Sequence, residues 1–430
     1  MLTIIISVVA IVGVIACVLL KPELRLGKVS LAPYWLVAVL GAVALIACGQ
    51  ISLGELSAAL TRDTAVNPLK ILALFFGMTA ISVFLDEAGF FAYLASLALA
   101  KSGGSQKRLF NIFYFTVAVL TVFTSNDIVI LTFTPFIIYF CRNGEIDCKP
   151  YLIAEFAAAN TFSMLLIIGN PTNIYLAAGV DFMRYALIMA LPALLSGIVC
   201  YLLIKALFRK SLSVPIGESG AVVKIKDKPL AIVALSFLAL CTVMLAVSGY
   251  IGLEMWYIAL GGGVAVTLFA LIYGAISGRI VFAQRGLMRI PWQLAPFLLS
   301  MFTIVSALSG EGVTQLIASV LNCGDLSILT YLLASTLGAN LLNNIPMSVL
   351  FGSVLEFAGE GALFASVIGS NIGALLTSVG ALAGIMWTKL LKTENINYGI
   401  KEFVKNGALL VLVALPAAAL GLYLSLFIIL

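Results

Sequence analysis

Ten runs of roughly 20 apolar residues recur along this chain, each long enough to cross a bilayer as a helix. They are 2–20, 31–49, 68–86, 151–178, 183–207, 229–248, 253–275, 290–309, 361–388 and 404–428. Inside hydrocarbon every backbone N–H and C=O needs a partner within the protein, so such runs become helices. The alternating ten-residue pattern of a β-barrel is missing. Only 10% of residues are charged and mean hydropathy is +1.16, against about 25% charged in a soluble domain. The longest polar stretch, 209–228, is too short to fold alone. Two further apolar stretches, 108–141 and 326–358, are interrupted near the middle by polar residues and are expected to enter and leave on one side as re-entrant hairpins. Short amphipathic pieces, 89–100 and 312–323, are expected along the surface before each hairpin. The opening run lacks the basic n-region and cleavage site of a signal peptide and reads as the first span. The fold class is therefore an all-α polytopic membrane protein of about ten transmembrane helices plus two hairpins.

Charge sets the orientation. With both termini outside, the inner segments are 21–30, 87–108, 142–150, 205–228, 279–289 and 389–405. They hold all of the 24 basic residues except Arg62, Lys70 and Arg184, as the positive-inside rule requires. The net charge of +5 thus needs no nucleic acid to explain it. Histidine is absent, which removes the usual zinc ligand and the usual proton carrier near neutrality and leaves proton work to carboxylates. The seven cysteines sit mostly inside apolar runs without CxxC spacing and read as small buried hydrophobes. No nucleotide-binding fingerprint occurs, so ATP-driven pumping by this chain alone is not expected. No cofactor or metal is expected. A membrane-embedded enzyme is the remotest alternative, since it needs a His or Cys constellation that is missing.

The chain contains itself twice. "TSNDIV" at 124–129 parallels "LLNNIP" at 341–346, aligning Asn126 and Asp127 with Asn343 and Asn344 at an offset of 217. "AANTFSMLLIIG" at 158–169 parallels "GSNIGALLTSVG" at 369–380, aligning Asn160 with Asn371 and Gly169 with Gly380 at an offset of 211. "YLASLA" at 93–98 parallels "LIASVL" at 316–321. The expected division is a first repeat, 1–207 (scaffold spans 1–100, transport elements 101–207), and a cytoplasmic basic linker, 208–228. A second repeat, 229–430, follows (scaffold 229–325, transport elements 326–430). Each repeat crosses five times, and an odd number turns the second upside down. Inverted repeats with broken helices belong to secondary transporters.

The breaks mark the candidate site. A helix break frees backbone groups that lipid cannot satisfy, so it is tolerated only where it lines a protein cavity. At the first hairpin tip stand Thr124, Ser125, Asn126 and Asp127. A carboxylate at a helix centre costs about 2.5–3.5 kcal/mol on insertion scales, which points to function; the plainer reading is that Asp127 caps the half-helix after the break. Asn170, Pro171, Thr172 and Asn173 interrupt span 151–178, either as a simple proline kink or as a second break. Gly373, Thr377, Ser378 and Gly380 make a softer, proline-free break in the matching segment. Amide and hydroxyl oxygens at breaks can coordinate cations, while half-helix N-termini face anionic or polarised oxygens. Asp127, losing hydration among neutral amides, is the best-placed group to bind and release H+ or to hold Na+. Glu155, one turn into its span, is the second choice. Tyr34, Trp35, Trp256, Tyr257 and Trp292 read as interfacial anchors.

"TSNDIVILTFTPFI", "GNPTNIYLAAGVDF", "GANLLNNIPMSVL" and "GSNIGALLTSVGALAGIMW" resemble the arsenite/antimonite efflux permeases of the ion transporter superfamily. That superfamily also holds sodium-coupled dicarboxylate and citrate transporters and some sodium/proton antiporters. The resemblance covers nearly the whole chain. It implies two inverted repeats with re-entrant hairpins, usually working as an elevator, and a homodimer. Carried over, Ser125, Asn126, Asp127, Asn170, Thr172 and Asn173 form a first half-site. Asn343, Asn344, Asn371, Gly373, Thr377 and Ser378 form a second. Asn-Pro-Thr-Asn at 170–173 departs toward the dicarboxylate carriers, whereas Ser-Asn-Asp and Asn-Asn-Ile replace their Ser-Asn-Thr tips. A fixed aspartate repels a dicarboxylate, which favours a neutral solute such as arsenious acid, or a cation. Proton-coupled arsenite or antimonite efflux is thus the first expectation. Sodium-coupled uptake of a carboxylate or other anion, or sodium/proton exchange, is the alternative. The expected partners are a small inorganic or organic solute, the bilayer and a second copy, with an accessory ATPase as a further candidate; the expected location is the cell inner or plasma membrane.

Overall fold

The computed structural model describes residues 1–20, 24–26, 29–31, 33–63, 67–216 and 222–429. Lys21 and Lys28, counted above among the inner charges, and 217–221 of the linker lie outside the described residues.

The first repeat runs α1 (Leu2–Leu20), α2 (Tyr34–Ala47), α3 (Leu53–Thr61), α4 (Pro68–Glu87), α5 (Phe90–Lys101), α6 (Gln106–Phe123), α7 (Asn126–Asn143), α8 (Lys149–Phe162), α9 (Pro171–Leu176) and α10 (Phe182–Leu207). The second runs α11 (Lys228–Ile251), α12 (Met255–Ile276), α13 (Ile280–Arg289), α14 (Leu294–Gly310), α15 (Val313–Leu321), α16 (Ser327–Leu342), α17 (Asn344–Val354), α18 (Glu360–Gly373), α19 (Leu382–Thr393) and α20 (Ile400–Ile429). The two series match element for element. Even the corners agree: Gly89 and Gly312 precede α5 and α15 with φ of +85° and +77°, a left-handed turn that glycine adopts without cost.

The repeats interlock by exchange. α2 packs on α14 and α12 on α4, so span two of each repeat meets span three of the other. α9 packs on α17 and α19 on α7, again one from each repeat, and the last spans α10 and α20 pair along their length. The α4–α12 crossing is tight because it is glycine on both sides. A Cβ on Gly77 would stand 2.2 Å from Ala259 O, and one on Gly263 2.6 Å from Gly77 Cα. Small residues let membrane helices approach this closely.

The hairpins enter from opposite faces. The first has its base at the linker, where Ile216 N donates to Gly104 O at 2.8 Å. The second has its base at the face carrying the N-terminus, where Asn322 Nδ2 donates to Phe357 O at 2.9 Å. Met1 and Thr3 lie on this face, joined to Glu311 beyond the end of α14.

Several expectations need correction. α3 and α13 form short helices where only loops were expected, and the inner segment 21–30 contains a small antiparallel hairpin, Leu24–Leu26 with Val29–Leu31. α5 does not simply lie on the surface, because Phe91 and Ala95 are buried against its neighbours. Tyr34 is no interfacial anchor: it is buried edge-on against Phe297. Among the described residues seven helical segments are individually long and apolar enough to cross, among them the hairpin segment 324–342; the spans at α8–α9 and α18–α19 are assembled from pieces. The tips are also unequal in depth. The first lies against the middle of α4, beside Phe75, Met78 and Thr79, whereas the second lies beside Tyr34 and Leu294, in the first turns of α2 and α14.

Candidate functional site

Two broken helices and two hairpin tips supply the polar residues, and each break is forced locally. Thr124 Oγ1 turns back to Leu120 O at 2.7 Å and closes α6. Ser125 then adopts extended backbone, and α7 restarts at Asn126. Asn126 is fully buried and donates to Asn160 Oδ1 at 3.3 Å; its own Oδ1 has no partner among the described residues. Asp127, next in the first turn of α7, is half-buried, and no described side chain pairs with its carboxylate. It makes no side-chain capping bond; Ser125, the cap residue, makes none either. Its favourable local partner is the positive end of the α7 dipole.

In the second hairpin Asn343 occupies the cap of α17 with φ of 74° and ψ of 152°, a sparsely populated extended conformation that is otherwise almost confined to glycine. Its Oδ1 accepts from Ile345 N at 3.3 Å and its Nδ2 donates to Val379 O at 2.8 Å. Asn344 begins α17, is buried, and has an Oδ1 without a described partner. The structural equivalents are therefore Ser125 with Asn343 and Asn126 with Asn344. This is one residue off the sequence alignment, and Asp127 faces Ile345 in the repeat. The shift is legible only in the helix starts: each second arm begins with a buried asparagine whose oxygen is unspent.

The broken helices meet at Asn371. Its Oδ1 accepts from Asn170 Nδ2 at 2.8 Å and from Ser163 Oγ at 3.0 Å. Its Nδ2 donates to Asn173 Oδ1 at 2.7 Å and to Val367 O at 2.9 Å. Asn371, expected in the second half-site, is thus tied into the break of the first repeat. Asn170 caps α9 by accepting from Thr172 N at 3.1 Å, and Asn173 Nδ2 satisfies Ser163 O at 2.9 Å and Leu166 O at 3.2 Å. The freed carbonyls of the break are met by side chains, which is more than a proline kink requires. Thr172 is buried with its hydroxyl unpartnered among the described residues.

The second break is closed by Asn340, which sequence reasoning missed. Its Nδ2 donates to Gly373 O at 2.8 Å, and its Oδ1 accepts from Thr377 Oγ1 at 2.6 Å. Ser378 is half-exposed and makes no described side-chain bond. Ser163 was missed too. Both missed residues lie within four positions of flagged asparagines, in "GANLLNN" and "AANTFS". Glycine shapes both breaks alike. A Cβ on Gly169 would stand 2.3 Å from Ser163 O, and one on Gly380 2.9 Å from Ala374 Cα, contacts related by the same offset of 211 residues. Glu155 lies elsewhere: it is buried in α8 against Thr134 of α7.

The hydrogen bonds of these side chains run to amides, hydroxyls and backbone groups. The arrangement presents neutral oxygen and N–H groups, four half-helix N-termini (α7, α9, α17 and α19) and one carboxylate. On the face carrying the N-terminus a cleft of about 320 Å³ opens between α4, the α9–α10 turn and the α11–α12 turn, with Lys70, Asp181 and Glu254 at its wall. It shares Ile174 with a smaller cavity reaching Thr124, Ser125 and Pro171.

A family model described as citrate transporter matches residues 15–366. The chain is similar to the arsenical pump membrane protein of Escherichia coli, 27% identical over 412 residues, covering 90% of this chain and 93% of that one. It is 29% identical over 378 residues to the arsenical pump membrane protein of Escherichia coli strain K12, covering 82% and 86%. It is 24% identical over 411 residues to the putative arsenical pump membrane protein of Bacillus subtilis strain 168, covering 87% and 90%. Among solved structures, the YdaH transporter of Alcanivorax borkumensis, described as having an unusual topology, superposes with a TM-score of 0.59 at 13% identity, over 99% of this chain and 97% of that one. At that identity the likeness speaks for the fold alone. The family match spans well over half of the chain, which therefore belongs to the citrate transporter family of the ion transporter superfamily and is a multi-pass secondary transporter, not an enzyme.

Proposed function

We propose that the chain exports arsenite or antimonite in exchange for protons, by elevator-type alternating access. The single observation that carries the reading is Asp127: a lone, half-buried carboxylate without a described partner, in a site otherwise built of neutral amides and hydroxyls. A multiply charged carboxylate solute finds no cationic side chain bonded into this site, whereas a neutral hydroxylated solute finds donors and acceptors. Asp127 takes up and releases the coupling ion. Asn126, Asn160, Asn170, Thr172, Asn173, Asn343, Asn344, Asn371 and Thr377 hold the solute or shape its pocket, with Gly169 and Gly373 letting the backbone approach; Ser378 stays at the margin.

The moving body is 101–207 with 326–430, and the static body is 1–100 with 229–325, joined through 208–228. Ion pairing supports this division. Arg142–Glu394, Lys149–Glu402 and Arg184–Glu360 each join helices of the first body, from opposite repeats. Lys70–Glu254 and Arg289–Asp86 do the same within the second. Pairs confined to one body leave the surface between bodies free to slide. The basic residues support a cytoplasmic linker with both termini outside, the orientation in which the 320 Å³ cleft faces the exterior. A homodimer through the static bodies and an accessory ATPase complete the expected assembly.

The second reading is sodium-coupled transport of a carboxylate. The citrate family match and the unpartnered amide oxygens of Asn126 and Asn344, which suit a cation, favour it. Proteoliposomes under an imposed pH gradient separate the two. Wild type should move arsenite down that gradient, and Asp127→Asn, which keeps the shape but cannot titrate, should bind solute and lose gradient-driven movement. PH-driven transport retained in Asp127→Asn removes the coupling role. Citrate or succinate movement on a sodium gradient, with no arsenite movement, replaces the first reading by the second.

A further inference from the structure

α7, α8 and α19 meet at a carboxyl group that neither half-site uses. Glu155 is wholly buried in α8. Its Oε2 lies 2.9 Å from Thr134 Oγ1 on α7, and its Oε1 has no hydrogen-bond partner among the described residues. Thr134 Oγ1 also lies 2.7 Å from the carbonyl of Ile130, one turn back. A threonine hydroxyl carries one proton. A backbone carbonyl has none to give, so the one hydroxyl proton can serve Ile130 or Glu155 but not both at full strength. A carboxyl that holds its own proton satisfies both contacts at once, with Thr134 donating to Ile130 and accepting from Glu155.

The ionised alternative is poor on the same geometry. It leaves a wholly buried charge with no cation beside it, held only by the proton that Thr134 shares with Ile130, and Oε1 and the nearby Trp387 Nε1 each lack a hydrogen-bond partner among the described residues. An uncompensated buried charge costs far more than a neutral carboxylic acid donating one hydrogen bond. The charges on the packed elements are engaged or distant. Arg142 of α7 pairs with Glu394 and Lys149 of α8 with Glu402. Asp127 stands seven residues from Thr134, about 10 Å along α7 at 1.5 Å per residue. Tyr114 of α6 donates to Gly197 O at 2.6 Å, and Lys389 and Lys392 of α19 are exposed. The Trp387 indole of α19 lies against the Glu155 carboxyl and also lines a small cavity with Asn406 and Tyr398, near the linker face.

We infer that Glu155 is a proton-binding site, separate from Asp127, and that it carries its proton in the arrangement seen here. The bound proton joins the hairpin arm that bears Asp127 to the broken helix α8. Its release, as a carboxylate plus a proton passed to water, puts a charge between the two helices and loosens that arm. The inference does not depend on which solute is carried.

Infrared difference spectroscopy of the purified full chain in nanodiscs, exchanged from H2O to D2O at neutral pH, reads this directly. A deuterium-sensitive carbonyl band of a protonated carboxylic acid is expected in wild type and in Asp127→Asn, and its loss is expected in Glu155→Gln. Thr134→Val removes the hydrogen-bond acceptor and should move the band to higher frequency, which keeps the test alive if Glu155→Gln does not fold. Spectra of wild type and Glu155→Gln that coincide at neutral pH overturn the inference, as does a band that ignores Thr134→Val.

Discussion

Removing the Asn371 side chain tests whether the two repeats are joined where the structure joins them. In Asn371→Ala three inter-repeat bonds disappear. Ser163 Oγ has a fallback, because it already lies 3.2 Å from Asn160 O. Asn170 Nδ2 and Asn173 Oδ1 have no described alternative, so two buried polar groups are stranded. At about 1–3 kcal/mol for each unsatisfied buried group, the loss is about 2–6 kcal/mol. Side-chain hydrogen bonds within membranes average about 0.6 kcal/mol, so three of them set a floor near 2 kcal/mol. Asn160, the repeat equivalent, is the control. Its one bond to another side chain is long, 3.3 Å, and Asn160→Ala strands one buried group, Asn126 Nδ2, so it should cost about 1–3 kcal/mol, about half the loss of Asn371→Ala. Reversible unfolding of the purified protein, by denaturing detergent titrated into mild micelles, measures both. Equal losses for the two variants, or a loss below 1 kcal/mol for Asn371→Ala, would refute the assignment of Asn371 as the junction.

The breaks and the clamps give further tests. Gly169→Ala drives a Cβ to 2.3 Å from Ser163 O, a backbone atom that cannot swing away, whereas Gly380→Ala meets Ala374 Cα at 2.9 Å and the movable Asn340 side chain at 3.0 Å. With overpacking at about 1–3 kcal/mol, Gly169→Ala should slow solute flux about tenfold or more and Gly380→Ala by less; the reverse order in a flux assay would count against the geometry. At the face carrying the N-terminus, the hydrogen bond from Arg184 holds the Glu360 carboxyl below its ordinary value of 4.5. A carboxylate depressed in the folded state adds stability above that ordinary value and loses it as pH falls through the lower, folded one. Both side chains are well over a quarter exposed, so the contribution is less than about 1 kcal/mol. Arg184→Gln should therefore flatten a small acid-side decline in melting temperature without changing stability at neutral pH by more than that amount.

The spans, the repeat, its inversion and the location of the breaks could be read from the sequence because each has a local cause. A hydrophobic run long enough to cross is visible in its own 20 residues. Asn170-Pro171 interrupts a helix whatever surrounds it, and an odd number of crossings inverts a repeat by arithmetic. The candidate residues clustered at the breaks for the same reason: polar side chains there answer freed backbone groups close by in the chain. What only the tertiary structure decided is which of them meet. Asn371 and Asn173 are 198 residues apart and touch because α9 and α18 interlock across the repeats. Ser163 and Asn340 carry no mark that separates them from other small polar residues until packing puts a carbonyl or an amide within reach. The register of the hairpin tips, with Asn126 matched to Asn344, depends on where each second arm restarts, which the run of apolar residues on either side does not mark. Glu155 ranks only as a second choice in the sequence because its position one turn into a span is all the sequence offers. Its burial against Thr134 follows from α7 and α8 packing face to face, a contact that no local propensity encodes.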